Sequence, residues 1–289
     1  MFQGSLVALV TPFKNGKVDY AALRRLVDWH VEQSTDGLVP VGSTGESPTV
    51  DVAEHKKIIE TVVKQADERL PVIAGTGANA TAEALELTRF AKGVGADATL
   101  QVCPYYNKPT QEGLYRHFAT IAEKVNLPMV LYNVPGRTVV SIAPATVARL
   151  AKIANIVAIK EASGSMDQTS DILSLCDITV LSGDDSLTLP LMSIGAKGVI
   201  SVVANVAPKD VHDLAQAALG GDFAGALRIH QKLFPLCRAM FLESNPIPVK
   251  TACGLLGLCS PELRLPLCEM GADNREKLVK AMKEYGLIK

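Results

Sequence analysis

Ile156-Val157-Ala158-Ile159-Lys160 is a continuous apolar run that ends in a lysine. Strands buried on both faces of a parallel sheet have this near-continuous apolar pattern. An amine at the far end of such a strand lies where the core meets an opening. Partial burial disfavours the charged form of a lysine and can bring its pKa down toward roughly 7–8, which frees the amine to form a Schiff base with a ketone or aldehyde. The structural alternative is a lysine that extends to water or pairs with Glu161.

Seven further apolar runs resemble this one, and an amphipathic stretch follows most of them. The eight runs begin near Ser5, Gly37, Pro71, Ala98, Pro128, Ile156, Ile178 and Gly198. The amphipathic stretches cover residues 19–34, 51–69, 81–93, 111–125, 144–154 and 208–219. Asp51 and Thr81 are predicted helix N-caps, and Pro144 and Pro208 suit first-turn positions. Eight alternations without a break in composition predict an α/β fold, a closed (β/α)8 TIM barrel.

The last part of the chain has a different pattern, with helical periodicity and no further strand-like run. We therefore expect a catalytic barrel domain over residues 1–221. Residues 222–289 are predicted to form a C-terminal helical extension of two or three helices packed on the barrel.

Composition excludes several classes of function. The formal net charge is -1, which gives no electrostatic reason to expect nucleic acid or an anionic membrane as a partner. No apolar stretch approaches the ~20 residues of a membrane span, and the amino terminus lacks an export signal. The 6 cysteines form no C-x-x-C pair, so we expect reduced thiols and a cytoplasmic protein. The 5 histidines form no i, i+4 pair, and no metal site is predicted.

In a TIM barrel the catalytic residues lie at the carboxyl ends of the strands and in the loops after them. Polar residues of this chain fall at those positions: Thr11, Gly42-Ser43-Thr44-Gly45-Glu46-Ser47, Gly75-Thr76-Gly77, Tyr105-Tyr106-Asn107, Tyr132-Asn133, Arg137, Lys160, Gly183-Asp184-Asp185 and Ser201. Their coincidence on one rim predicts an active site there.

Each candidate has a structural alternative. The turn with Ser43 and Thr44 offers hydroxyl and backbone N–H groups to a carboxylate, but small residues also suit an ordinary connection. Tyr106 and Tyr132 can relay a proton, although the ring of a rim tyrosine more often packs against its neighbours while its hydroxyl contacts water. Arg137 on a rigid turn suits a bidentate grip on a substrate carboxylate, or else a surface ion pair.

Two weaker patterns are rejected. Residues 75–80 match the G-x-G-x-x-G/A pattern of dinucleotide sites, but the acid such sites need should end the next strand, and Asp97 precedes it. Asp184 and Asp185 suit a cation, yet a helix start after Gly183 explains them more simply.

Together these residues resemble the dihydrodipicolinate synthase family, which belongs to the lysine-dependent, pyruvate-handling class I aldolases. The resemblance extends from Gly4 to Lys250. It rests most on the segments Gly75-Thr76-Gly77-Ala78-Asn79, Pro104-Tyr105-Tyr106-Asn107-Lys108-Pro109, Tyr132-Asn133-Val134-Pro135-Gly136-Arg137-Thr138, Ile159-Lys160-Glu161-Ala162 and Asn245-Pro246-Ile247-Pro248-Val249-Lys250.

The resemblance implies an activity: condensation of pyruvate with L-aspartate 4-semialdehyde, the first committed step of the diaminopimelate route to lysine. It implies that Lys160 forms the Schiff base and that no other cofactor is needed. Tyr132, Thr44 and Tyr106 would relay protons, with Tyr106 reaching in from a neighbouring subunit of a homotetramer. The resemblance also assigns substrate binding to the side chains of Ser43, Thr44 and Arg137 and to the backbones of Gly183 and Ile200.

Two matters stay open. The Gly-Ser-Thr-Gly-Glu turn is also typical of N-acetylneuraminate lyases, so a sugar-acid lyase or 2-keto-3-deoxy acid aldolase is the alternative, against which Arg137 argues. The resemblance also implies feedback by L-lysine at a subunit interface. Val52 and Pro48 stand where lysine-sensitive relatives often carry histidine and alanine, so inhibition is left open. The candidate lysine-site residues are Ser47, His55, Asn79, Glu83 and Tyr105.

Overall fold

The apolar runs form eight short parallel strands in a computed structural model that describes residues 2–289. They are β1 (Gly4–Ala8), β2 (Gly37–Val39), β3 (Ile73–Gly75), β4 (Ala98–Val102), β5 (Met129–Asn133), β6 (Ile156–Glu161), β7 (Thr179–Ser182) and β8 (Gly198–Ser201). Hydrogen bonds join them in the order β2-β1-β8-β7-β6-β5-β4-β3. A parallel bridge between Leu38 and Val72 joins β2 to the start of β3. The ring therefore closes, and the predicted TIM barrel is confirmed.

Helices connect successive strands on the outside of the barrel. They are α1 (Tyr20–Glu32), α2 (Val52–Ala66), α3 (Thr81–Gly93), α4 (Gln111–Lys124), α5 (Pro135–Thr138), α6 (Pro144–Leu150), α7 (Met166–Leu175), α8 (Thr188–Ser193) and α9 (Pro208–Leu219). Three further helices follow: α10 (Phe223–Ala239), α11 (Ile247–Leu255) and α12 (Ala272–Tyr285). Single turns of 3-10 helix cover Ser47–Thr49, Asp185–Leu187 and Val203–Asn205, and Phe13–Lys14 pairs with Lys17–Val18 in a hairpin.

Local signals set several helix starts. The Asp51 side chain accepts from Glu54 N at 2.8 Å as part of a capping box, so the predicted cap of α2 is confirmed. Pro144 and Pro208 occupy first-turn positions as predicted. The prediction of Thr81 as the N-cap of α3 is wrong, because the helix already includes Thr81 and Ala80 is the cap. The Thr81 hydroxyl instead lies 2.9 Å from His117 Nδ1.

Side chains on the strands alternate between two hydrophobic layers. One layer fills the interior of the barrel and includes Leu6, Val130, Tyr132 and Ala158. The other lies between the strands and the helices and includes Ile159. Because alternate residues share a face, Lys160 points to the interior with Ala158, whereas Glu161 points outward with Ile159.

The helices after the last strand pack on the barrel. α10 contacts α9 and α12, and α11 contacts the 3-10 turn that follows β8. A domain boundary at residue 222 stays a prediction. All 6 cysteines are unpaired. Within residues 2–289 no helix has the length and apolar character needed to cross a membrane.

Candidate active site

Lys160 is buried at the carboxyl end of β6, with 5% of its surface exposed. Parallel pairing of β5 with β6 places Tyr132 directly beside it on the same interior face. Lys160 Nζ lies 4.5 Å from the centre of the Tyr132 ring. The amine is therefore held inside the barrel against a phenol, and it does not extend into bulk water.

Glu161 is not the partner of Lys160. Its carboxylate faces outward, where it accepts from Asn133 Nδ2 at 3.0 Å and from Ser163 N at 2.7 Å. Burial raises the pKa of the Glu161 carboxyl, and these hydrogen bonds partly offset that effect. The alternative in which Lys160 simply pairs with Glu161 is thus wrong.

Asp185 forms hydrogen bonds that hold the end of β8 in place. Its carboxylate accepts from Ser201 Oγ at 2.5 Å and from the N–H groups of Val202 and Val203 at 3.0 Å. Burial raises the pKa of the Asp185 carboxyl, and the hydrogen bonds and the charge of Lys160 lower it. Asp185 begins a 3-10 turn as the sequence suggested. Its side chain, however, accepts the hydrogen bonds of Ser201 at the end of β8 and of the two N–H groups that follow. Within residues 2–289 no cluster of three or more His, Cys, Asp or Glu side chains could hold a metal ion.

A cavity of about 370 Å³ opens at the carboxyl rim of the barrel. Ser43, Tyr132 and Arg137 lie in its wall, together with Tyr105 and Asn245. Lys160 is next to this wall through its contact with Tyr132. The structure therefore brings the predicted hydroxyl, phenol, guanidinium and amine groups to one end of the barrel.

The turn after β2 positions Ser43 and Thr44. Thr11 Oγ1 donates to Gly45 O at 2.7 Å, which joins this turn to the segment after β1. Thr44 is buried, and its hydroxyl oxygen accepts from Asn245 Nδ2 at 3.0 Å. The turn ends at Glu46, whose φ of 55° is in the left-handed region.

A buried ion pair fixes the end of this turn. Lys250 Nζ on α11 lies 2.7 Å from Glu46 Oε1, and both side chains are fully buried. The Lys250 ammonium also lies 4.2 Å from the centre of the Phe13 ring, and Arg264 N donates to Glu46 Oε2 at 3.2 Å. Burial lowers the pKa of Lys250, and the Glu46 charge raises it in opposition.

Gly183 allows the close approach of Lys160 to β7. A Cβ at position 183 would lie 2.5 Å from Ala162 Cβ, which is closer than two carbons can pack, and 3.1 Å from Lys160 Cε, so a larger residue would clash with Ala162 and press on the lysine. The Gly183 N–H donates to Glu161 O at 2.7 Å. Ile200 is fully buried in the interior layer.

Arg137 and Tyr106 have different surroundings. Arg137 lines the cavity, and its Nη2 donates to Asn245 O at 3.1 Å. Tyr106 is 90% exposed, with a φ of 73°, and it lies outside the cavity of its own chain. The chain therefore does not bring Tyr106 to its own Lys160.

The candidate lysine-site residues lie around the loops after β2, β3 and β4. His55 Nε2 is 2.6 Å from Gly75 O, and burial lowers the pKa of this imidazole. Asn79 Nδ2 donates to Tyr105 O at 3.3 Å. Burial, followed by the charge of Glu83, raises the pKa of the Tyr105 phenol. Ser47 and Tyr105 line the same cavity as Arg137.

Sequence reasoning missed the roles of Asn245, Glu46 and Lys250 in this site. Lys250 lies inside an apolar helical pattern, Ile247-Pro248-Val249-Lys250-Thr251-Ala252, which is a signal for a buried and paired charge. Asn245 carries no such signal, because its contacts depend on the path of the chain after α10.

Inside the barrel, the lysine at the end of β6 lies beside the tyrosine of β5. A TIM barrel with such an interior lysine is the arrangement of a class I aldolase, an enzyme that acts through a lysine Schiff base. Comparison with known proteins is more specific. The profile of the dihydrodipicolinate synthetase family matches residues 1–285. The chain belongs to this family, and the resemblance predicted from its motifs is confirmed.

Individual relatives match over the full length. The 4-hydroxy-tetrahydrodipicolinate synthase of Geobacter metallireducens is 59% identical over 290 residues, 100% of both chains. The chloride-inhibited dihydrodipicolinate synthase of Acinetobacter baumannii, solved with pyruvate, is 48% identical with a TM-score of 0.98 and covers 100% of both chains. The lysine-bound enzyme of Cyanidioschyzon merolae is 40% identical, with a TM-score of 0.96 and 99% of each chain covered.

Proposed function

We propose that the chain is a 4-hydroxy-tetrahydrodipicolinate synthase that condenses pyruvate with L-aspartate 4-semialdehyde. The observation that carries this proposal is the buried amine of Lys160, which lies 4.5 Å from the Tyr132 ring beside a cavity that Arg137 lines. Synthases of this name match the whole chain. This reaction would be the first committed step of the diaminopimelate route to lysine.

The reaction begins on Lys160. The neutral form of the amine attacks the ketone carbon of pyruvate, and loss of water leaves an imine that withdraws electrons from the methyl group. Removal of a methyl proton gives an enamine, whose carbon attacks the aldehyde of the second substrate. The amine of that substrate then displaces Lys160 and closes the six-membered ring, which regenerates the free lysine. No metal or other cofactor takes part in this scheme.

The surrounding groups supply protons and orientation. Tyr132 is next to Lys160, and Thr44 lies on the turn after β2, whose Gly42 and Ser43 line the same cavity as Tyr132. In the proposal these two residues form the part of the relay that one chain provides. Ser43 and Thr44 hold the pyruvate carboxylate, and the backbones of Gly183 and Ile200 line the same position. Confining both substrates in one cavity lowers the entropic part of the barrier.

Arg137 distinguishes the synthase from the sugar-acid lyases. Its guanidinium lies at the cavity wall and is held through Asn245 O, so it can bind the carboxylate of aspartate semialdehyde with two hydrogen bonds. The serine at position 43 is the feature shared with the lyase alternative, and it retains a hydroxyl.

We predict that Arg137→Ala lowers kcat/KM for aspartate semialdehyde on the order of tenfold to a hundredfold, because a charge-assisted contact is lost. Arg149→Ala is the matched control, since Arg149 is an exposed arginine that pairs with Glu112 on the surface. A coupled assay should compare aspartate semialdehyde with sugar-acid aldehydes, each with pyruvate. Unchanged turnover of aspartate semialdehyde by Arg137→Ala, or preference for a sugar-acid aldehyde, would contradict the assignment.

A second subunit completes the relay in our proposal. Tyr106 is exposed on its own chain, its φ is in the left-handed region, and it does not line the cavity of that chain. We infer that it enters the site of a neighbouring subunit, and that the working form is a homotetramer built as a dimer of dimers.

Mixing inactive variants tests this arrangement. Tyr106→Phe and Lys160→Ala should each lose activity, on the order of a hundredfold for the phenol. Refolding the two together should restore activity, because mixed oligomers contain sites with Lys160 from one chain and Tyr106 from the other. Mixing Tyr132→Phe with Lys160→Ala should restore nothing, since both residues belong to one chain's site. Failure of the first mixture to recover activity would contradict a shared relay.

L-Lysine is the proposed regulator. The candidate lysine-site residues lie beside the cavity and offer hydroxyl, amide and carboxylate groups to an amino acid. They are Ser47, His55, Asn79, Glu83 and Tyr105. A relative has been solved with lysine bound. Initial rates in millimolar lysine should fall for the wild-type chain and stay unchanged for Glu83→Ala, which lacks a partner for the ammonium group. Full activity of the wild-type chain in lysine would contradict this regulation.

We also propose that the protein acts in the cytoplasm. Its 6 cysteines are unpaired, which fits a reducing compartment.

A further inference from the structure

Asn245 joins two residues of the candidate site. It lies in the segment between α10 and α11, and its side-chain Nδ2 donates to Thr44 Oγ1 at 3.0 Å. Its main-chain oxygen accepts from Arg137 Nη2 at 3.1 Å. One residue of the C-terminal segment thus contacts both a proposed relay group and the proposed carboxylate-binding group.

The hydrogen bond from Asn245 Nδ2 fixes how the Thr44 hydroxyl is used. A threonine hydroxyl has one proton to donate and lone pairs to accept with. Because Asn245 Nδ2 can only donate, the Thr44 oxygen accepts on that side, and its own proton is available to another acceptor. On the proposed pathway that acceptor is the Tyr132 phenol oxygen.

The other end of the Asn245 amide is also informative. Asn245 is 6% exposed and lines the cavity, and its Oδ1 is buried without a hydrogen-bond partner within residues 2–289. Buried polar atoms are nearly always paired, and structural networks normally satisfy both ends of an amide. Here only the Nδ2 end of the amide is paired, and its partner is the Thr44 hydroxyl. This one-sided pairing points to a role of Asn245 in the site beyond packing.

We propose that Asn245 is a positioning residue for proton transfer: its side-chain amide holds the Thr44 hydroxyl as a donor toward Tyr132. The proposal rests on the proposed function, in which Thr44 and Tyr132 move the methyl proton of the pyruvate imine. It adds a residue of the C-terminal helical segment to the machinery of the barrel.

Exchange of the pyruvate methyl protons with D2O isolates this step, because exchange requires the imine and the enamine but not the aldehyde. Asn245→Ala removes the donor, and Asn245→Asp keeps the shape but presents only acceptors when ionised, so Thr44 must donate toward it. Both variants should slow exchange by about tenfold or more, as expected for a misplaced relay group. Borohydride should still trap pyruvate on both.

A double variant shows whether Asn245 acts through Thr44. Thr44→Val with Asn245→Ala should exchange no more slowly than Thr44→Val alone, because the amide then has no hydroxyl to orient. Asn155→Ala is the matched control. It loses contacts to the carbonyls of Ala122, Val125 and Leu127 away from the cavity, and it should exchange at the wild-type rate.

Exchange at the wild-type rate in folded Asn245→Asp would overturn the proposal, and so would multiplicative slowing in the double variant. If Asn245→Ala fails to fold, the isosteric Asn245→Asp decides alone. Failure of the wild-type chain to trap pyruvate would instead contradict the proposed function, which separates the two outcomes.

Discussion

The Glu46 carboxylate and the Lys250 ammonium meet 2.7 Å apart in a part of the protein that excludes water. Moving a charge from water into such a place costs several kcal/mol, and the attraction between the two charges and their hydrogen bonds must offset this cost. Removing one member of such a pair typically costs about 3–5 kcal/mol, because the other charge is left buried alone. The Phe13 ring and the N–H of Arg264 stabilise the pair further. The turn after β2 and helix α11 are therefore held as one unit.

That unit carries much of the site. Thr44 lies two residues before Glu46 on the turn, and Asn245 lies five residues before Lys250, so the ion pair brings Asn245 Nδ2 within 3.0 Å of Thr44 Oγ1. Arg137 contacts the same segment from helix α5, which follows β5. The barrel positions Lys160 and Tyr132 by strand register, whereas the C-terminal segment positions the groups around them. The active site is thus built from both parts of the chain.

The regular parts of this arrangement could be predicted from the sequence. Eight apolar runs specified the eight strands, and the position of Lys160 at the end of a run placed it on the carboxyl rim, because strand geometry has a fixed period. Asn245 and Lys250 could not be placed in this way. Their partners are about two hundred residues away along the chain, and no periodic pattern encodes such a pairing. The prediction for Thr81 fails for a related reason: the local sequence favours a threonine cap, but the partner of its hydroxyl is His117, which lies on α4.

Reduction of the protein with borohydride in the presence of pyruvate, followed by peptide mapping, tests the central claim most directly. Lys160 and Lys250 are both buried lysines, but Lys250 is paired with Glu46 and Lys160 lies beside the Tyr132 ring near the cavity. The account predicts a reduced pyruvate adduct on Lys160, none on Lys250, and loss of both adduct and turnover in Lys160→Arg. An unmodified Lys160 in an active enzyme, or full activity of Lys160→Arg, would contradict it.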